Sequence, residues 1–271
     1  MIKLIAIDLD GTLLNSEKKI SEANKLALQK AKDAGVKIVL CTGRPLRGIE
    51  VYLEELSLEE AGDYSITFNG GLVQKNDTGE ILAKKALTTA NVREIYQLGK
   101  QLELPVDVLA DDDVLQLTTT PGHNSIYQSL NDLLNFIPTE IEAINDEGTY
   151  NKAVMAYSAA VLDQKIPDIP QDLYTRYEII KSRANLLEFM PKGVTKAYGI
   201  SLLAEYLKIT AAEVMAIGDE ENDLPMIEYA GVGVAMANAV PDVKAIANYV
   251  TTSNDEDGVA AVIEKFVFTG E

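Results

Sequence analysis

Asp8 and Asp10 end an apolar run, Leu4-Ile5-Ala6-Ile7, and are followed at once by Gly11 and Thr12. Such a run reads as a strand buried on both faces of a parallel sheet. Residues i and i+2 of a strand share a side, so the two carboxylates can address one point in space. Open α/β sheets bind their ligands at the carboxyl ends of the strands, which is where these acids stand. Two anions held that close repel each other unless a cation or a shared proton lies between them. The plain alternative is a strand that happens to end in a polar turn.

Three further segments follow predicted core strands. They are Thr42-Gly43-Arg44-Pro45, Lys196 near a helix start, and Gly218-Asp219-Glu220-Glu221-Asn222-Asp223. Strands of one parallel sheet deliver their carboxyl ends to a single edge, so the four segments can meet. Together they supply carboxylates for a hard cation, a hydroxyl, an ammonium and several loop amides. Phosphoryl transfer needs this inventory, because catalysis there is mostly positioning and charge neutralisation. Oxygen-only ligands favour Mg²⁺ over zinc or copper. Two unit charges about 4 Å apart interact by about 1 kcal/mol in water and about 4 kcal/mol at an effective dielectric near 20. A phosphate dianion brought up to these carboxylates therefore needs cations beside it. Each segment also has a bland reading: a strand-to-helix turn for Thr42–Pro45, a solvated lysine for Lys196, a helix cap for Asp219–Asp223.

The elements that would position these groups alternate along the first and last thirds of the chain. Strand Lys3–Asp8 leads to a helix capped by Ser21, with Ile20, Ala23, Ala27, Ala31 and Ala34 on its inner stripe and Gly35 as its stop. Strand Val36–Cys41 follows, then a helix from Pro45 to about Leu56, strand Ser65–Phe68, and a hairpin turning at Asp77-Thr78-Gly79. After the middle of the chain come helix Thr195–Leu207, a capping box at Thr210–Glu213, strand Val214–Ile217 and helix Asp223–Tyr229. Strand Val232–Ala235, helix Asp242–Ala247, strand Tyr249–Thr252 and helix Gly258–Phe266 complete the pattern. Repeated βα units predict a doubly wound, Rossmann-like parallel sheet.

The middle differs. It shows helices near Asn91–Leu102 and Ser125–Asn135 and a hairpin from Val106 to Thr118 turning at Asp111-Asp112-Asp113. Strands follow at Ala153–Tyr157, Tyr177–Lys181 and Leu186–Phe189. Strands outnumber crossover helices, so residues 84–190 read as an inserted α+β domain within a core of residues 1–83 and 191–271.

The four segments, in this order, resemble the motifs of the haloacid-dehalogenase superfamily. With Ile66-Thr67-Phe68-Asn69-Gly70 and the large insertion, the chain is similar to the Cof-type sugar phosphatases from its first strand to Asp257-Gly258. The resemblance implies that Asp8 is a nucleophile that becomes an aspartyl-phosphate. Asp10 protonates the leaving oxygen, then activates water, and its backbone carbonyl joins Asp8 and Asp219 around Mg²⁺. Thr42 and Lys196 bind the transferring phosphoryl group, Asn222 lies beside it, and the amides of Leu9 and Gly43 complete the cradle. The insertion is the cap that closes over a small phosphorylated metabolite. Three residues are weaker candidates: Arg44 as substrate anchor or brace, Asn69 as a contact to a sugar hydroxyl, and Glu188 as a group facing the cleft.

Composition narrows the field. A formal charge of −18 repels nucleic acid over most of the surface. No apolar stretch is long enough to span a membrane, and an early first strand leaves no room for a signal peptide. Cys41 is the single cysteine, so no internal disulfide is expected and a reducing cytoplasm is the expected home; it reads as a buried apolar filler. The oligomeric expectation is a monomer or a homodimer. His123, the sole histidine, reads as a loop residue, so histidine-based phosphatase chemistry is excluded from the core. Asp255-Glu256-Asp257-Gly258 repeats the Asp-x-Asp-Gly spelling but opens a predicted helix, where either aspartate serves as a cap. Neither pair is an EF-hand loop, which wants Gly sixth and Glu twelfth; counted from Asp8, those positions hold Leu13 and Lys19.

Two rivals stay open. A phosphomutase of the same superfamily needs cationic residues in the cap for a second phosphate. The cap cations Lys84, Lys85, Arg93, Lys100, Lys152, Lys165, Arg176, Lys181 and Arg183 form no tight arginine cluster in the sequence. A receiver-like phosphoacceptor switch also uses an aspartate, Thr and Lys at strand ends, but lacks the long insertion and the paired Asp8/Asp10 spelling.

Overall fold

The computed structural model describes residues 1–111, 113–131 and 133–269. The chain divides into two compact units, one comprising Met1–Arg44, Ile49–Lys84 and Thr195–Glu271, the other Pro45–Gly48 and Lys85–Val194.

Apolar runs become the central strands of the first unit. Its eight-stranded sheet runs Tyr249–Val250, Val232–Ala235, Val214–Gly218, Leu4–Ile7, Lys37–Cys41, Tyr64–Thr67, Leu72–Lys75 and Ile81–Lys84. The first six strands are parallel and the last two form an antiparallel hairpin. Leu4, Ile5, Ala6 and Ile7 are wholly buried, as a strand covered on both faces requires. Strand Leu4–Ile7 lies between Lys37–Cys41 and Val214–Gly218, in the register Ile7 to Leu40 and Ile7 to Ile217. The chain winds outward in opposite directions from this point, so the switch in strand order falls beside Asp8. The α/β architecture expected from the repeating units is the one observed.

Local chemistry sets the helix ends. The Ser21 hydroxyl accepts from the Asn24 amide and starts helix Glu22–Asp33. Thr195 does the same for Tyr198 at the start of helix Lys196–Leu207. Thr210 and Glu213 cap each other reciprocally ahead of strand Val214–Gly218.

In the second unit a six-stranded sheet runs Tyr177–Arg183, Leu186–Pro191, Lys152–Ala156, Val106–Ala110, Asp113–Leu117 and Asn135–Thr139. All neighbours are antiparallel except the last pair. Helix Thr89–Leu102, opened by a Thr88–Asn91 capping box, turns Val92, Ile95, Leu98 and Leu102 into the apolar core formed with Val106, Val108, Met155 and Phe189.

Several local expectations are corrected. The helix expected over Pro45–Leu56 is broken into a 3₁₀ turn, Leu46–Gly48, and a short helix, Glu50–Glu55; Gly48 is a poor helix former at the break. The first helix buries Asn24, Leu28 and Ala31 and exposes Ala34. Asn24 belongs inside because its Oδ1 accepts from the Ala260 amide. The helix expected over Ser125–Asn135 is confined to Tyr127–Leu130, and Asn135–Thr139 instead forms an edge strand beside Asp113–Leu117. Cross-strand pairing overrode local propensity there. The Asp111-Asp112-Asp113 turn joins Val106–Ala110 to Asp113–Leu117, with Asp111 left-handed at φ 57°; Asp112 lies outside the described residues. Asp255 caps no helix: its carboxylate accepts from the amide and hydroxyl of Ser16. Asp257 does stand at the start of helix Gly258–Ile263, without a side-chain cap.

Candidate active site

The register of the three central strands brings Asp8, Thr42 and Asp219 to adjacent strand ends. Asp8 and Asp219 are buried, and a carboxylate oxygen from each lies within 4.8 Å of one from Asp223. Gly11 makes this approach possible. It sits at φ +84°, and a Cβ there would come within 2.3 Å of Asp219 Oδ2, so the turn after Asp10 must be glycine. Thr12 Oγ1 donates to Asp219 Oδ1 at 2.8 Å and fixes that carboxylate.

Lys196 enters from the first turn of helix Lys196–Leu207 and is fully buried. Its Nζ donates to Asp8 Oδ1 and to Asp223 Oδ1, both at 2.5 Å. Asp223 Oδ2 accepts from the amides of Asp219 and Glu220 at 2.9 and 3.0 Å, so this carboxylate both holds the lysine and shapes its own loop. Asp223 and Thr12 were not singled out from the sequence. The signal was present, since each belongs to a motif already quoted, but Asp223 read as a helix cap.

Electrostatics follow from burial and crowding. Burial pushes Asp8 up to about 7, with Asp223 adding repulsion and Lys196 opposing both. Burial also raises Asp219, to about 8, with the charges of Asp8 and Asp223 adding to it. Burial works against the charge on Lys196, but Asp223 and Asp8 outweigh it and hold the ammonium above the usual lysine range. Three carboxylates around one ammonium leave negative charge in excess. A divalent cation fits such a site: every donor is oxygen, and the charge to be neutralised is already there. Asp8 and Asp219, with Asp223 beside them, are the side chains that could hold Mg²⁺.

Asp10 points elsewhere. Arg44 donates to both of its oxygens, Nε to Oδ2 at 2.9 Å and Nη2 to Oδ1 at 2.7 Å, and Lys18 Nζ reaches Oδ1 at 3.0 Å. Arg44 thus holds Asp10 through a two-point contact. Thr42 is buried and its Oγ1 accepts from the Arg44 amide at 3.2 Å, turning the loop at Gly43. The carbonyl of Leu9 accepts from the amides of Thr12 and Leu14, which closes the turn carrying Asp10. Asn222 Nδ2 donates to Asn69 Oδ1 at 3.2 Å, and Gly43 packs against the same Asn69 amide group.

Glu188 belongs to the second unit and is a buried partner of Lys152, whose Nζ donates to its Oε1 at 2.5 Å. Nearby, Asp107 is pushed up to about 6 by burial while the Ser125 hydroxyl donates to it. His123 Nδ1 donates to the Glu103 carbonyl at 2.6 Å and the ring stacks on Tyr157, a loop contact. Cys41 is buried, and burial pushes its thiol up, so it is inert filler.

The family model for haloacid dehalogenase-like hydrolases matches residues 5–263. The chain belongs to this family. Among its relatives is YxeH of Bacillus subtilis, a protein provisionally named a phosphatase, which is 39% identical over 267 residues, 98% of this chain and 99% of its own. The 5-amino-6-(5-phospho-D-ribitylamino)uracil phosphatase YitU of Bacillus subtilis is 31% identical, with 97% of each chain covered. A solved haloacid dehalogenase-like hydrolase from Bacteroides thetaiotaomicron superposes with a TM-score of 0.84 at 32% identity, covering 98% of this chain and 100% of its own. A subclass IIB sugar phosphatase superposes with a TM-score of 0.81 at 28% identity, covering 98% and 99%. Among the described residues of this family member, no helix is long and apolar enough to cross a membrane.

Proposed function

We propose that this haloacid dehalogenase-like hydrolase is a Mg²⁺-dependent phosphomonoesterase acting on small polyhydroxylated phosphates, sugar phosphates first among them. The observation that carries the reading is Lys196, buried between Asp8 and Asp223 with Asp219 alongside. Asp8 attacks phosphorus, and the bond from phosphorus to the leaving oxygen breaks as Asp10 gives that oxygen a proton. Asp10 then takes a proton from water, the water oxygen attacks the aspartyl-phosphate, and Asp8 is released with inorganic phosphate. Mg²⁺, when bound, supplies charge neutralisation beside the transferring group. Lys196 screens the repulsion between Asp8 and the incoming dianion, and it occupies only Oδ1, leaving the second oxygen to attack. Thr42, Asn222 and the amides of Leu9 and Gly43 take the phosphoryl oxygens.

In this geometry Asp10 accepts two hydrogen bonds from Arg44, which suits the carboxylate form needed for the second step. One of those contacts must yield when Asp10 carries its proton. The substrate class is supported by the neighbours: one solved structure is of a sugar phosphatase and one relative acts on a phosphorylated ribityl compound. The second unit is assigned the choice of leaving group, since the chemical residues all lie in the first. Release of inorganic phosphate from a panel of phosphorylated metabolites, with Mg²⁺ and then with chelator, tests the reading. No turnover of any ester with Mg²⁺ present would reject it, and isomer formation without phosphate release would replace it with the mutase.

A further inference from the structure

Strand Tyr64–Thr67 does not end in an ordinary turn. Phe68, Asn69 and Gly70 follow it with φ of 51°, 54° and 97°, three successive residues in the left-handed region. Glycine is at ease there and asparagine tolerates it, but a bulky residue such as Phe68 rarely adopts it. Such a segment persists when its surroundings over-determine it, and it is a reason to ask what it does.

The turn touches three of the four chemical segments. The Phe68 amide donates to the Arg44 carbonyl at 3.3 Å and the Asn69 amide to the Thr42 carbonyl at 2.9 Å, so the loop bearing Thr42, Gly43 and Arg44 hangs on these two peptides. The Asn69 side chain is buried, packs on Gly43, and accepts from Asn222 Nδ2. Gly70 lies under the start of helix Lys196–Leu207: a Cβ on it would stand 2.0 Å from the Thr195 carbonyl oxygen, and a Cβ on Gly199 would stand 2.8 Å from the Gly70 Cα. The distance of the helix start from the sheet, and with it the reach of Lys196, depends on that contact.

We propose that Asn69 is a positioning residue for phosphoryl binding: its left-handed backbone and buried amide set Asn222 and the Thr42–Gly43 loop relative to each other. This rests on the phosphatase reading and replaces the sugar-hydroxyl contact expected from the sequence. A buried amide whose oxygen is taken by Asn222 is placed to orient protein groups.

Asn69→Gly is the informative variant, because glycine adopts the same backbone and loses only the amide. Wild type and variant are compared in calorimetric titration with inorganic phosphate, in kcat and KM for p-nitrophenyl phosphate and for a hexose phosphate, and in melting temperature. The expected result is a phosphate affinity weakened about tenfold, the scale of one hydrogen bond lost. KM for both esters should rise together, at an unchanged melting temperature. In an Asn222→Ala background the same change should add much less, since the two amides act as one unit. Loss confined to the hexose phosphate would overturn the proposal in favour of a substrate contact, and wild-type behaviour would overturn it in favour of a purely structural turn. Should Asn69→Gly lower the melting temperature, the cycle of Asn69→Gly with Asn222→Ala read in phosphate affinity still decides: coupling between positions 69 and 222 is expected, and full additivity would overturn the proposal. Wild type that binds no phosphate and cleaves neither ester would reject the phosphatase reading itself, a result separate from the variant's behaviour.

Discussion

Lys196 in the first unit and Lys152 in the second are both buried ammonium groups bonded to buried carboxylates. Their surroundings differ in charge. Lys152 donates to Glu188, a cation and an anion on neighbouring strands of the second unit's sheet. Lys196 stands among Asp8, Asp219 and Asp223, where burial and repulsion push Asp8 up to about 7 and Asp219 up to about 8. A balanced buried pair contributes little net stability and is costly mainly when one member is lost. An unbalanced cluster is destabilised as it stands, and its excess charge becomes useful only when a cation or a phosphoryl group is added. On the proposed function, the contrast is between a buried ion pair within a fold and a charge cluster available for chemistry.

The comparison breaks most sharply on Asp8. Asp8→Asn should lose turnover by about 10⁶-fold, the scale of a removed nucleophile. Asp10→Asn should lose about 10²–10⁴-fold, the usual worth of a general acid–base. With an aryl phosphate Asp10→Asn should still show a burst near one equivalent of phenolate and then stall with label on Asp8. A linear trace without covalent label would remove Asp10 from both roles.

A smaller effect is expected in the second unit. Glu188→Ala leaves the Lys152 ammonium buried without its carboxylate and should cost about 3–5 kcal/mol in denaturant unfolding. Lys152→Met with Glu188→Leu should regain most of that. If the double variant also turns over p-nitrophenyl phosphate as wild type does, the pair is a structural one. A changed rate on that substrate would blur the distinction drawn between the two lysines.

The smallest effect is a shift in pH dependence. Asp8 and Asp219 have folded values near 7 and 8 against 3.8 for an ordinary aspartate. A raised acid contributes stability that is full below pH 4 and lost as pH climbs through 7 to 8. The metal-free protein should therefore lose melting temperature across that window, and Asp219→Asn should flatten the loss. Added Mg²⁺ should raise the melting temperature more at pH 8 than at pH 5, because it competes with protons for the same oxygens. Equal Mg²⁺ stabilisation at both pH values would place the ion away from these carboxylates.

Much of the scaffold that positions this site was legible in the sequence. The apolar runs ending at Asp8, Cys41 and Gly218 are buried parallel strands in the structure, and Ser21, Thr210 and Glu213 cap as their spacing implied. These are local facts, dictated by periodicity and by backbone groups within a few residues of one another. Strand Asn135–Thr139 was missed because its ladder partner, not its own composition, makes it a strand.

Four features were decided by tertiary structure alone. They are the turn of Asp223 onto Lys196, the two-point grip of Arg44 on Asp10, the burial of Asn69 against Asn222, and the use of Asp255 to hold Ser16. Each joins residues distant in sequence, in two cases more than 150 apart. Residue types and strand ends establish which groups can gather at one sheet edge. Which side chain then takes which partner depends on sheet register and on how closely helix Lys196–Leu207 rests on Gly70. Packing settles those distances, and no local pattern in the chain encodes them.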